Sequence, residues 1–161
     1  MEKLWAPWRM KYIESGMQGG CFFCSHLESD HDEQNLVLHR GTATFILMNR
    51  YPYSNGHLMI APHRHTGDIT DLSAQEINEM MELTQAAVQA IREVMAPEGF
   101  NIGYNLGRVA GAGVADHLHL HIVPRWNGDT NFMPIIADTK VINEKLEATY
   151  PKLLEAFQAL I

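Results

Sequence analysis

His117-Leu118-His119-Leu120-His121-Ile122-Val123-Pro124-Arg125-Trp126 is the stretch whose reading decides the fold. Side chains on a strand alternate between faces, so His117, His119 and His121 share one face while Leu118, Leu120 and Ile122 share the other. The apolar face predicts a strand laid on a core. The imidazole face needs a chemical reason, because a buried polar group without a partner costs about 1–3 kcal/mol. Three reasons compete. They are a solvated polar face, a mononuclear metal site built from alternate positions, and an anion site in which one imidazole is a nucleophile and its neighbours bind phosphate.

Upstream lies Asn105-Leu-Gly-Arg-Val-Ala-Gly-Ala-Gly113, a glycine-rich loop. Gly107, Gly111 and Gly113 free the backbone for positive φ and close ligand approach, so N–H groups around Gly111, Ala112 and Gly113 could cradle a polyphosphate. The loop lacks the Walker lysine and the G-x-G-x-x-G spacing. Its weight comes from the histidines beside it.

The chain has 161 residues, 46% of them hydrophobic, and no run of 18 apolar residues. That is enough for one well-filled core, read here as a single domain over residues 1–161 with an arm (1–20), a core (21–126) and a tail (127–161). The first ten residues lack the apolar segment of a secretory signal, which leaves the cytoplasm as the expected compartment. A formal charge of −7 argues against nucleic-acid binding through a basic surface, so any phosphate site must be local.

Cys21 and Cys24 form a C-x-x-C, a spacing suited to metal ligation or redox chemistry. A closed structural zinc site is tetrahedral and would need two more ligands. His65 and His117 are the candidates, with His26, His31, His39 and His63 in reserve. A thioredoxin-like redox motif is the rival, and it would want a βαβ context that the polar and then stranded sequence downstream does not suggest.

In chain order, Trp5, Trp8 and Tyr12 suit a short helical arm packed on its own domain. Residues 35–39 and 43–49 read as two strands around the turn Arg40-Gly41-Thr42, and residues 57–62 as a third, giving an antiparallel meander. From Ser73 to about Ala96, the set Ile77, Met80, Met81, Thr84, Val88, Ile91 and Met95 falls on a helical stripe. Ser73 with Glu76 predicts a capping box, and the methionines read as core fillers. Residues 99–105 read as a strand, residues 132–136 as a short strand or edge, and residues 141–161 as helical with a break near Pro151. The expected class is α+β: a five-stranded antiparallel sheet, one long helix and a helical C-terminal tail.

The three alternating histidines, their apolar partners and the glycine-rich loop resemble the motif of the histidine triad family of nucleotide-binding hydrolases and transferases. The likeness extends to Asn49 before Arg50-Tyr51-Pro52, and to Gly56-His57 opening a strand that ends in Pro62-His63-Arg64-His65. The N-terminal Leu-Trp-Ala-Pro-Trp-Arg, the C-x-x-C and the residues after Pro124 look like the branch of bacterial diadenosine tetraphosphate phosphorylases. The resemblance implies that His119 is the nucleophile, flanked by His121 and His117, with His57 as a supporting histidine. It implies that Asn49 binds ribose hydroxyls and Asn105 faces the phosphates. It also implies a structural zinc on Cys21, Cys24, His65 and His117, no catalytic metal, and at least a dimer.

One position departs from the pattern. Where many hydrolytic relatives carry a glutamine four residues before the first histidine, this chain has Gly113. The lost side chain opens space for inorganic phosphate, which Trp126 and residues 127–132 could help shape. The expected activity is nucleotidyl transfer from dinucleoside polyphosphates with phosphorolysis favoured. Hydrolysis of dinucleoside polyphosphates or nucleoside phosphoramidates is the alternative, as is a purine-nucleotide-binding module without strong turnover. A zinc hydrolase with all three histidines on the ion would leave Cys21 and Cys24 without a role.

Overall fold

A computed structural model describes residues 20–130 and 141–161. The expected helix around Trp5, Trp8 and Tyr12 and the short strand at residues 132–136 lie outside the described residues. Among those described, five strands form one antiparallel sheet: β1 (Val37–Arg40), β2 (Thr44–Met48), β3 (Leu58–Pro62), β4 (Gly99–Tyr104) and β5 (Leu120–Arg125). Their order is β1-β2-β3-β5-β4. The first three follow one another as a meander, and β5 then slots between β3 and the edge strand β4.

Among the described residues, four α-helices accompany the sheet: α1 (Phe22–Leu27), α2 (Asp32–Asn35), α3 (Ala74–Met95) and α4 (Leu146–Gln158). Alternation splits the sheet into two apolar faces. Ile46, Met48, Leu58, Ile60, Leu120 and Ile122 pack against α3 and α4, while Val37, Phe45, Leu47, Met59 and Ala61 pack on the other side with Phe23 of α1. The histidines of the 117–121 stretch share the side of Phe23.

The long helix starts where its capping box demands: Ser73 accepts from the Glu76 N–H, and the Glu76 carboxylate accepts from the Ser73 N–H. Its buried stripe is rotated from the expected one. Met80, Leu83, Thr84, Ala87, Ala90 and Ile91 are buried, whereas Ile77 and Met81 are 50% and 58% exposed. The alanines let the helix approach the sheet closely, which a count of large apolar residues misses, and Met81 is not a core filler.

The tail helix begins at Leu146 and runs through Pro151 without the expected break. Pro151 lies one turn inside the helix, so its missing N–H orphans one carbonyl, that of the exposed Glu147. Burial of Tyr150, Leu153 and Phe157 outweighs that loss. No helix among the described residues is long and apolar enough to cross a membrane.

The histidine stretch also differs from a continuous strand. Ladder pairing with β3 covers Leu120 and Ile122 but stops before His119, because β3 ends at Pro62, which has no N–H to give. His117–His119 stay extended, held instead by the Leu118 N–H on the Thr66 carbonyl (2.6 Å). The Pro62 carbonyl left over is taken by a side chain of the site itself.

Candidate active site and metal centre

His117 is fully buried, and its Nε2 donates to the Pro62 carbonyl at 2.8 Å. That bond fixes the proton on Nε2 and turns a lone pair on Nδ1 outward. Nδ1 lies 3.2 Å from Cys21 Sγ and 3.6 Å from Cys24 Sγ, while His65 Nδ1 lies 3.3 Å from Cys24 Sγ. The four donor atoms all fall within 4.8 Å of one another. A tetrahedral ion with bonds of about 2.3 Å to sulfur and 2.0–2.1 Å to nitrogen has S···N edges of roughly 3.5 Å, so the quartet fits such an ion. Of the six histidines considered from sequence, the structure selects His65 and His117; His26, His31, His39 and His63 lie outside the cluster. Burial, followed by the neighbouring Cys21, raises the Cys24 thiol. A bound cation would supply the compensation that two thiolates require.

His119 is positioned by the backbone of that same ligand. Its Nδ1 donates to the carbonyl of His117 at 2.8 Å, which leaves Nε2 as the basic nitrogen. Burial lowers its pKa from the ordinary 6.5 and the bond to His117 partly opposes this, so the neutral, nucleophilic form prevails at pH 7.

A second chain of bonds runs through His57 and His121. The Tyr53 N–H donates to His57 Nδ1 (3.0 Å), which puts the His57 proton on Nε2, and Nε2 donates to His121 Nδ1 (2.9 Å). His121 therefore carries its own proton on Nε2. Burial, with His121 and His119 adding to it, holds His57 well below its ordinary value and keeps it neutral. His119 and His121 meet edge to face with ring centroids 4.7 Å apart. Asn49 stands beside this chain, its Oδ1 accepting from the Tyr51 N–H (2.9 Å) and its Nδ2 3.3 Å from His57 Nδ1.

Asn105 follows β4, whose pairing ends at Tyr104 opposite Leu120, the residue after His119. The loop after it is closed on itself. Gly107 and Gly111 adopt positive φ (78° and 93°), and the N–H groups of Ala110, Gly111 and Ala112 bond back to the carbonyls of Gly107 and Arg108. Of the three loop residues expected to offer amides, Gly113 alone has no backbone partner for its N–H among the described residues. Trp126 does not join the histidines. Its indole Nε1 donates to the Met95 carbonyl at the end of α3 (3.3 Å), beside a cavity of about 480 Å³ that Asn55, Asp129 and Lys152 also line.

A HIT domain family model matches residues 31–128, which carry His57, His65, His117, His119 and His121. The chain belongs to the HIT, or histidine triad, family. It is 40% identical over 159 residues to AP-4-A phosphorylase of Mycobacterium tuberculosis, covering 92% of this chain and 80% of that one. It is also 30% identical over 93 residues to bis(5'-nucleosyl)-tetraphosphatase [asymmetrical] of Schizosaccharomyces pombe, covering 58% of this chain and 50% of that protein. Among solved structures, a Zn-bound histidine triad family protein from Mycobacterium smegmatis superposes with a TM-score of 0.69 at 26% identity, covering 88% of this chain and 95% of the other. As a HIT enzyme, the chain carries three functional candidates that pattern reading passed over.

Phe23 packs at a tilt against His117 and His119 at centroid distances of 5.0 and 4.9 Å, and Tyr53 stacks on His57 at 4.8 Å. Gly103 pairs with His121 across the ladder, and a Cβ placed on it would meet nothing within 4 Å. Its bareness keeps the floor beside His121 clear. Only the position of Phe23 inside the C-x-x-C could have signalled its contact with the histidines.

Proposed function

We propose that this chain catalyses nucleotidyl transfer from dinucleoside polyphosphates, of the diadenosine tetraphosphate type, through a nucleotidyl-His119 intermediate with inorganic phosphate as the favoured acceptor. One observation carries the reading: His119 Nδ1–H is fixed on the His117 carbonyl (2.8 Å), so Nε2 keeps its lone pair in a neutral ring.

In the first step Nε2 attacks the α-phosphorus. A P–N bond forms as the P–O bond to the leaving nucleoside polyphosphate breaks, and the electron pair leaves on that oxygen. The ring becomes cationic, and the His117 carbonyl accepts a stronger hydrogen bond from Nδ1–H. His121, protonated at Nε2 because Nδ1 accepts from His57, donates to a non-bridging oxygen, and the Gly113 amide is the loop donor. In the second step a phosphate oxygen attacks the same phosphorus, the P–N bond breaks, and His119 returns neutral with release of a nucleoside diphosphate. Asn49 hydrogen-bonds ribose hydroxyls and Asn105 faces the phosphates.

Cys21, Cys24, His65 and His117 hold a structural zinc in this reading; when bound, it supplies a cross-link between the N-terminal segment and the triad. The donor set and its S···N spacings of 3.2–3.6 Å support that choice. The two unbridged thiols suit a reducing compartment, supporting a cytoplasmic enzyme. Family likeness supports residues 1–161 acting as one domain within a homodimer or larger homo-oligomer.

Similarity to the asymmetrical tetraphosphatase favours one rival, water as acceptor. Incubation with diadenosine tetraphosphate, with and without phosphate, separates the two. ADP with ATP appearing only when phosphate is present supports phosphorolysis; AMP with ATP supports hydrolysis; no product contradicts both.

A further inference from the structure

The C-x-x-C does more than hold two sulfurs. Between them it carries Phe23, fully buried, whose ring lies 5.0 Å from His117 and 4.9 Å from His119 at interplanar angles of 35° and 37°. Its outer side is backed by Phe22 at 4.1 Å and met by Phe45 at 6.2 Å, edge to face. The ring is thus wedged between the core and the imidazole that bears the basic Nε2.

A single hydrogen bond leaves that imidazole incompletely fixed. Nδ1–H on the His117 carbonyl pins one ring atom at 2.8 Å, but the plane can still swing about that contact. The Phe23 ring, tilted 37° against the imidazole at 4.9 Å, together with the edge-on contact of His121 at 4.7 Å, restricts the swing. Attack on phosphorus needs the lone pair aligned with the P–O bond that breaks, and small misplacements there cost large factors in rate.

The flat surface is itself tied to the metal centre. Cys21 caps α1 and Cys24 lies in its first turn, so Phe23 is held at both ends by the residues that would ligate the ion. An ion held by Cys21 and Cys24 would fix the height of the Phe23 ring, and its bond to His117 would fix the carbonyl that binds His119. Both constraints on the imidazole plane would thereby originate at one centre, which itself takes no part in the transfer steps.

We infer that Phe23 is a positioning residue through which occupancy of the Cys21/Cys24/His65/His117 centre fixes the ring plane of His119. This rests on His119 being the nucleophile, and the test separates the two ideas. Phe23→Leu keeps apolar volume and removes the flat ring.

Wild type and Phe23→Leu are compared with zinc loaded and after chelation, by metal content, steady-state kinetics with diadenosine tetraphosphate and phosphate, and proton NMR of the His119 ring. The inference predicts that loaded Phe23→Leu keeps one zinc per chain, loses about 10–100-fold in kcat with KM within about twofold, and shows a moved and broadened His119 Cε1–H resonance. Chelated wild type matches that kinetic profile, and chelating Phe23→Leu costs little more, because both changes remove the same constraint.

Full activity of Phe23→Leu, or losses by mutation and chelation that multiply, overturns the inference while leaving the nucleophile assignment intact. Wild type without turnover overturns the nucleophile reading, and an unmoved His119 resonance then overturns the positioning role independently. Should Phe23→Leu lose its metal, Phe23→Met is measured the same way. Loss of metal by both makes Phe23 a residue of metal-site folding, and the inference fails.

Discussion

His57 Nε2 lies 2.9 Å from His121 Nδ1, and both rings are buried. With Tyr53 N–H donating to the far side of His57, the proton pattern of both imidazoles is dictated by one backbone amide. Replacing His57 by alanine removes the donor that fixes the tautomer of His121. The expected result is a kcat lower by about 10–100-fold, in the range for losing one electrostatic or positioning group. His57→Gln, which can still donate from its amide, should recover part of it in the same assay.

The same burial gives a pH dependence of stability. His57 is held well below its ordinary 6.5 by burial, with His121 and His119 adding to it. Below pH 6.5 the unfolded chain binds a proton that the folded chain refuses, so stability falls as pH drops through that value. Glu76 adds a second, lower window. The Arg64 guanidinium holds its carboxyl down at about 2 from an ordinary 4.5, so the stability it contributes is lost as pH falls from 4.5 toward 2. Melting temperature should be level above neutrality and decline below pH 6.5, with a shallower decline in His57→Gln.

Removal of the thiols tests the metal centre. An ion present at about a thousand times its dissociation constant stabilises the fold by about 4 kcal/mol, and each kcal/mol moves Tm by about 2–4 °C at this size. Cys21→Ser with Cys24→Ser should abolish bound zinc by elemental analysis and lower Tm by roughly 8–16 °C. Unchanged metal content would refute the ligand set.

Arg40 anchors the segment that carries those thiols. Its guanidinium donates to the carbonyls of His26, Leu27 and Ser29 and to the Asp32 carboxylate at 2.6–3.3 Å. Arg40→Ala should cost about 1–3 kcal/mol in denaturant unfolding, since those acceptors lose a charged donor. Arg40→Lys should recover less than half, because an ammonium cannot reproduce the fork.

Gly103 faces His121 with open space where a side chain would sit. Gly103→Val should leave Tm unchanged or raised, as valine suits a strand better than glycine. It should raise KM for diadenosine tetraphosphate several-fold by filling the floor beside His121. An unchanged KM would place the nucleotide elsewhere.

Much of this was legible in the residues. The extended run from Leu120, the alternation that puts the histidines on one side, the capping box at Ser73 and the hairpin around Gly41 are local patterns, set by alternation, a three-residue spacing and a turn. The clustering of Cys21, Cys24, His65 and His117 is expected because a C-x-x-C leaves two ligands to find, though the spacing alone does not choose between six histidines. What escaped depended on distant neighbours. Leu83, Ala87 and Ala90 are buried because α3 lies against the sheet at a particular rotation, and that rotation is not encoded in helical period alone. Pro151 sits inside a helix because Tyr150, Leu153 and Phe157 have a core to enter. The bond from Trp126 to the Met95 carbonyl joins the residue after β5 to the end of α3, a contact between segments far apart in sequence. Phe23 was hidden by its own ordinariness: an aromatic between two cysteines meets the triad only when the sheet brings His119 against it.

The most direct test of the central claim is to trap the covalent intermediate. Wild type is mixed with diadenosine tetraphosphate in the absence of phosphate, quenched in alkali to protect a P–N bond, digested, and read by mass spectrometry. A nucleotidyl group on His119, absent from His119→Ala, is the result expected. A label on another residue, or steady turnover by His119→Ala, would contradict it.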